Sequence, residues 1–169
     1  MYAGRPHLCL KSKHMDASRR FYEALGFSVV DEVAGLRIVL ERGSFNLALM
    51  SFLDEDSLNL RGADAFAIRD HLQQRGISAE GEPEHYKKEK YDADADGTCW
   101  LTRDPDGHSV FFDTNQNEQG PEARCRQVDR VLRNAEQDLI DAGASAECLE
   151  AYRVNVLAPF AAGDRGQIV

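Results

Sequence analysis

The sequence predicts an α+β fold: two βαβββ repeats forming one open, cup-shaped mixed sheet, followed by a C-terminal helical hairpin. Three observations lead to this prediction. Short segments alternate between apolar and polar residues with the two-residue period of half-buried strands. Helical segments end at Gly26 and Gly76, and glycine is the residue that most often follows a helix. The same order of elements then occurs twice, which is typical of two copies of one structural unit.

The first repeat, about residues 6–53, opens with the alternating segment PHLCLKS. Its leucines point to one face of the predicted strand, and its His, Cys and Lys point to the other. A helix over 17–25 follows, with Asp16 as the expected N-cap. FSVVDEV, LRIVLER and FNLALMSF then predict three short strands, because turn-forming residues separate them.

The second repeat, about residues 57–115, follows the same order. SLNLR predicts a strand over 57–61, and a helix follows over 64–75. A short strand is expected at 77–79, and the polar segment 80–97 is expected to form a long loop. TCWLTR and HSVFFDT predict a β-hairpin, because the DPDG between them suits a type I turn.

The segment after residue 118 has a different pattern, so we divide the chain into a cup domain at 1–118 and a helical extension at 119–169. Apolar residues at helical spacing predict one helix that ends near Ala142. A second helix is expected to start at Ser145 and to end at Pro159. The apolar stripe of this hairpin has to be buried either on the same chain or on a partner subunit, and the sequence leaves both open.

Composition and charge exclude several classes of protein. The net charge is −9, with 29 acidic and 20 basic residues, which argues against a nucleic-acid partner. No apolar run has the length of about 20 residues that a membrane helix needs, so no membrane partner is expected. No signal-peptide pattern opens the chain, and its four cysteines lack C-x-x-C spacing. The sequence therefore predicts a cytoplasmic protein with free thiols.

The segments ASRRFYEALGF and TRDPDGHSVFF, together with the repeated order of elements, resemble the vicinal oxygen chelate superfamily. That superfamily includes glyoxalase I, extradiol ring-cleaving dioxygenases, and bleomycin and fosfomycin resistance proteins. The resemblance covers residues 6–115 and does not extend to the helical tail. It implies a sheet that curls into a cup around a small-molecule ligand, and it favours a homodimer.

The resemblance also implies where a divalent metal ion would be held, on the first and last strands of each repeat. These positions carry His7, Ala48, Ser57 and Phe111. Only His7 suits a metal, and a catalytic ion normally has three or more protein ligands. The expected cofactor is therefore none or unknown, and a divalent metal is possible but not favoured.

Strand alternation and the loop edges predict which side chains contact a ligand. The candidates are His7, Lys11, Asn59, Arg61, Trp100, Phe111 and Asp113. Phe111 would form an apolar wall of the pocket. Arg61 and Lys11 could bind an anionic ligand, or one of them could pair with Asp113 inside the cup. His7 could be a metal ligand, an acid–base or hydrogen-bonding group, or a structural residue.

Three functions are consistent with these observations. The first is a small-molecule-binding protein of the glyoxalase/bleomycin-resistance type that lacks the usual metal centre. The second is a metal-dependent lyase, isomerase or dioxygenase that uses His7. The third is a non-catalytic interaction protein that acts through its helical tail. The acidic composition suits a cationic ligand, whereas Arg61 and Lys11 suit an anionic one.

Overall fold

The computed structural model describes residues 3–91, 95–118 and 120–161. The first repeat contains β1 (Arg5–Lys11), α1 (Met15–Ala24), β2 (Ser28–Val33), β3 (Arg37–Arg42) and β4 (Phe45–Met50). The second repeat contains β5 (Ser57–Arg61), α2 (Ala65–Gln73), β6 (Glu84–Tyr86), α3 (Lys88–Tyr91), β7 (Gly97–Arg103) and β8 (Ser109–Asn115). The tail contains α4 (Pro121–Asp141), α5 (Ala146–Tyr152), a π-helical turn (Arg153–Leu157) and α6 (Ala158–Ala161).

The eight strands form one open mixed sheet in the order β2-β3-β4-β1-β5-β8-β7-β6. The first strands of the two repeats, β1 and β5, pair antiparallel at the centre, with Leu8 opposite Leu58. Each of them also pairs in parallel with the last strand of its own repeat. This arrangement of two βαβββ units with a helical tail confirms the predicted fold class.

One face of the sheet is covered by α1 and α2, and each helix lies over its own apolar cluster. The first cluster is built on Leu40, Leu47 and Leu49, which are at most 1% exposed. In the second, the ring of Trp100 stacks on Phe112 with 5.4 Å between ring centroids. The opposite face of the central strands, which we call the cup face, carries His7, Cys9, Ala48, Asn59, Phe111 and Asp113.

The second repeat differs from the prediction at its edge strand. The strand β6 lies inside the segment 80–97 that was expected to be a loop, and 77–79 is not a strand. The residues of β6 are polar and two of its three side chains are exposed, so hydrophobic periodicity could not reveal it. Tyr86 fixes it against β7, because its hydroxyl oxygen lies 2.5 Å from where a Cβ on Gly97 would be. The rest of the expected loop includes 92–94, which lie outside the described residues.

Two predicted helix ends are also wrong. The first helix begins at Met15 after His14, two residues earlier than an Asp16 N-cap requires. In the tail, Pro159 lies inside α6 rather than ending a helix. A proline has no N–H to donate, and the π-helical turn just before it has already changed the hydrogen-bonding pattern.

The tail helix α4 packs on its own chain, across one end of the cup face. Arg130 lies 3.4 Å from the carboxylate of Glu41 on β3. Farther along the helix, the carboxylate of Asp138 takes the space where a Cβ on Gly43 would be, and Gly43 has a left-handed φ of 57°. The predicted division of the chain at residue 118 stays a prediction. In the described part of the chain, no helix is long and apolar enough to cross a membrane.

Candidate ligand-binding site

The centre of the cup face brings together five of the seven predicted site residues. His7 on β1 lies directly opposite Asn59 on β5. Across the next strand pair, Asn59 is level with Phe111 and Arg61 is level with Asp113, both on β8. Side chains two residues apart on a strand point to the same face, so all five line one surface.

His7 is buried, at 6% exposed, and its imidazole accepts a hydrogen bond. Arg5 Nε donates to His7 Nε2 over 3.0 Å, so the neutral ring carries its proton on Nδ1. Burial lowers the pKa of His7 to about 3. The positive charges of Arg5, Arg61 and Arg130 contribute to the same shift, since they disfavour a second cation nearby. His7 is therefore a neutral hydrogen-bonding group at neutral pH.

Arg61 lies at the centre of an ion-pair network. Its Nη1 donates to Asp113 over 2.9 Å, and its Nε and Nη2 donate to the two carboxylate oxygens of Glu118 over 2.7 and 3.2 Å. The hydroxyl of Tyr86 donates to the other oxygen of Asp113 over 3.1 Å. Burial raises the pKa of Asp113, while Arg61 opposes that shift. Of the two roles considered for Arg61, pairing with Asp113 is the one observed.

Two predicted site residues lie outside this central group. Lys11 is opposite Met50 at the end of β1, where it is exposed and its ammonium donates to the main-chain carbonyl of Asp54 over 2.8 Å. Trp100 is 1% exposed and belongs to the core on the helix-covered face, where its indole N–H donates to the carbonyl of Glu80. Strand alternation explains this correction: Cys99 and Leu101 face the cup, so Trp100 between them faces the core.

The floor of the cup carries small buried groups and an acceptor without a partner. Cys9 is 2% exposed, and burial raises the pKa of its thiol to about 11. Asn59 is 6% exposed, and its Oδ1 has no hydrogen-bond partner among the described residues. A buried amide oxygen normally has a donor, so this atom suits a hydrogen bond from water or from a ligand.

The side chains at the four strand positions that the resemblance implies for a divalent ion do not fit such an ion. Ala48 and Phe111 have no lone pair to offer, and Ser57 is a weak ligand. The Nε2 lone pair of His7 already accepts from Arg5. Within 3–91, 95–118 and 120–161, no three His, Cys, Asp or Glu side chains are grouped to hold a metal.

The sequence did not identify several residues of the site. Arg5 could have been found, because it lies two residues before His7 and so faces the cup. Tyr86 was hidden in the polar segment expected to be a loop. Glu118 follows β8 in a short 3-10 turn, and its contact with Arg61 joins residues 57 positions apart. No local pattern in the sequence predicts such a contact.

No family model and no curated protein matches the chain. Solved structures do match it. A glyoxalase/bleomycin resistance protein/dioxygenase superfamily member from Vibrio splendidus 12B01 is 17% identical, with a TM-score of 0.51. The match covers 66% of this chain and 97% of that one. This chain has the vicinal oxygen chelate fold.

A second structure with this fold shows how little the fold says about the reaction. It is described as an NAD-dependent benzaldehyde dehydrogenase from Legionella pneumophila, and it is 15% identical with a TM-score of 0.51. The match covers 66% of this chain and 99% of that one. Two proteins with different stated descriptions thus have the same TM-score to this chain, so its function has to be argued from its own site.

Proposed function

We propose that the chain is a small-molecule-binding protein of the glyoxalase/bleomycin-resistance type whose cup binds its ligand without a metal centre. The state of His7 carries this proposal. Its Nε2 accepts from Arg5, and its pKa is lowered first by burial and then by three guanidinium groups. The same positive charge that disfavours a proton on His7 also disfavours a divalent cation beside it.

The remaining cup face supports binding of an organic molecule. Phe111 and Met50 are half-buried apolar side chains on strands at either side of the centre. Between them lies the buried amide oxygen of Asn59, which has no hydrogen-bond partner in the described part of the chain. Apolar walls with a few polar groups are typical of small-molecule sites, where the polar groups orient the ligand.

Methionine methyl signals can test this proposal with an internal control. The chain has three methionines. Met50 faces the cup, whereas Met15 packs against the core on the helix-covered face. With methyl-13C methionine, we expect some members of a library of aromatic and aliphatic fragments to move the Met50 signal and leave Met15 in place. A Met50→Leu variant assigns the signal. A library that leaves the Met50 signal unmoved would contradict the proposal.

The alternative, a metal-dependent lyase, isomerase or dioxygenase that uses His7, makes the opposite prediction for metals. Protein purified without chelator and titrated anaerobically with Ni2+, Zn2+, Mn2+ or Fe2+ should bind no stoichiometric ion under our proposal. The His7→Ala variant should give the same background metal content. Stoichiometric binding in the natural chain that disappears in His7→Ala would favour the enzyme.

A second candidate function, interaction through the tail, has one observation in its favour. Val128 and Val131 on α4 remain 39% and 40% exposed. Exposed apolar side chains on one helix are typical of an interface, and we propose on this ground that the chain forms a homodimer. Light scattering after size exclusion should give the dimer mass, and Val131→Asp should lower it. A natural chain that is still monomeric at a concentration of about 0.1 mM would contradict the homodimer proposal.

A further inference from the structure

A cavity of about 270 Å³ lies where the tail helix meets the end of the cup. Arg5 and Arg61 line it from the sheet, and Arg126 and Arg130 line it from α4. Asn117, Glu118 and Ala123 complete the wall of the cavity. The site therefore depends on the tail, and the central strands of the cup alone would not form it.

The charges around this cavity do not balance. Arg61 is paired with Asp113 and Glu118. The carboxylate of Glu41 is shared, at 3.7 Å from Arg5 and 3.4 Å from Arg130. Among the described residues that line this cavity or form ion pairs with its lining, four guanidinium groups thus meet three carboxylates, because Arg126 donates to the main-chain carbonyl of Asn117. This excess is local, since the whole chain has a net charge of −9.

The pKa values of two neighbouring groups are lowered in part by these positive charges. The pKa of Arg5 is lowered, first by burial and then by the positive charge of Arg130, although Glu41 opposes the shift. His7 next to it also has a lowered pKa, with Arg130 among the causes. Burial is the larger cause of both shifts, and the positive charge of Arg130 adds to each. A bound anion would offset this positive charge.

The start of α4 adds to this positive charge. Ala123 lies in the first turn of the 21-residue helix, is 4% exposed, and lines the cavity. The N-terminal end of a helix carries partial positive charge from its unpaired amides.

We propose that this cavity binds an oxyanion, a carboxylate or phosphate group, in the fork of arginines between the sheet and α4. Arginine suits this role because its planar guanidinium matches both groups with two parallel N–H donors. The oxyanion could be free, or it could be the charged end of the ligand in the cup. In the second case the inference rests on the proposed function. Arg61 and Asp113 connect the two regions, since Phe111 lies two residues before Asp113 on the same face.

Titration with inorganic phosphate and with benzoate tests this proposal at pH 7.5. Calorimetry gives the affinity, and the backbone amide signal of Ala123 gives the location. Arg130→Gln and Arg126→Gln should each weaken binding by about tenfold, the value of one charged hydrogen bond. Arg133→Gln on the same helix is the matched control, because Arg133 is paired with Asp129 and does not line the cavity. The affinity of the Arg133→Gln variant for phosphate should stay within about twofold of that of the natural chain, a change far below the effect of one charged hydrogen bond.

One further variant gives a change of the opposite sign. Glu118→Gln removes the acidic side chain that lines the cavity, and it should strengthen phosphate binding severalfold. Circular dichroism of each variant checks that the fold is kept, and Arg126→Gln serves if Arg130→Gln is poorly folded.

The two probes distinguish the source of the oxyanion. Binding of both, with benzoate also moving the Met50 methyl signal, supports the charged end of an organic ligand. Binding of phosphate alone, with the Ala123 signal shifted and the Met50 signal unmoved, supports a site for a free anion. In that case the anion site stands even if the fragment library contradicts the proposed function. The proposal is overturned if neither probe binds, or if Arg130→Gln and Arg126→Gln bind phosphate as tightly as Arg133→Gln.

Discussion

The histidine at the centre of the cup predicts how the protein responds to acid. The pKa of His7 is lowered from its usual value of about 6.5 to about 3 in the folded chain. Between these values the unfolded chain binds a proton on this residue and the folded chain does not. Stability that is present above pH 6.5 is therefore lost as the pH falls, and the loss is complete near pH 3.

The magnitude follows from the distance between the two pKa values. Each pH unit below about 6.5 costs about 1.4 kcal/mol, so His7 should remove about 2 kcal/mol of unfolding free energy at pH 5. The variant His7→Gln removes the titrating group and keeps an oxygen that can accept from Arg5. The natural chain should therefore lose about 2 kcal/mol more than His7→Gln between pH 7 and pH 5.

Urea unfolding at the two pH values measures this difference. The chain has one tryptophan, Trp100, and its position in the core makes its fluorescence a suitable signal. His14→Gln is the control for losing a histidine, since His14 is exposed and forms no side-chain cap on α1. This control should follow the natural chain. Equal losses in the natural chain and His7→Gln would refute the reasoning, because His7 would then titrate like an unfolded residue.

Three further predictions use other parts of the structure. Gly97→Ala should destabilise the chain by about 3 kcal/mol, because the new Cβ would collide with backbone. Gly107→Ala should cost only about 1 kcal/mol, because Gly107 has open space around it and only its φ of 87° opposes the change. The urea midpoints of the two variants compare these effects. Iodoacetamide should label exposed Cys148 in the native chain and buried Cys9 only after unfolding, as mass spectrometry can show. If sulfate binds near His7, sulfate at pH 5 should raise the unfolding free energy of the natural chain more than that of His7→Gln. An equal increase in both chains would contradict a coupling between sulfate binding and His7.

Local chemistry explains why much of the fold could be predicted. In the turn between β7 and β8, the carboxylate of Asp104 accepts from the amides of Asp106 and His108 over 3.0 and 2.8 Å. Gly107 closes the same turn with a left-handed φ of 87°. The residues that form this hairpin are neighbours in the chain, so the four letters DPDG contain most of the information. The strand at 57–61 was predicted correctly for a similar reason, since its leucines alternate.

The candidate site depends more on contacts between distant segments, and these could be predicted only in part. Alternation placed His7, Asn59 and Phe111 on one face, because the rule follows from backbone geometry. It could not pair Arg61 with Glu118, which lies in a 3-10 turn after the last strand. The same limit applies to Arg130, since no periodicity says which end of a sheet a tail helix will cross.

The arginines at the end of the cup determine which charges the cup favours. A divalent ion, a protonated histidine and a cationic ligand would all be opposed by the charges of Arg5, Arg61 and Arg130. An anion would be favoured by the same charges. The acidic composition of the chain is therefore a poor guide to its ligand, because the field inside a cup is set by the few charges that line it. One cluster of residues thus disfavours a divalent cation and favours an anion.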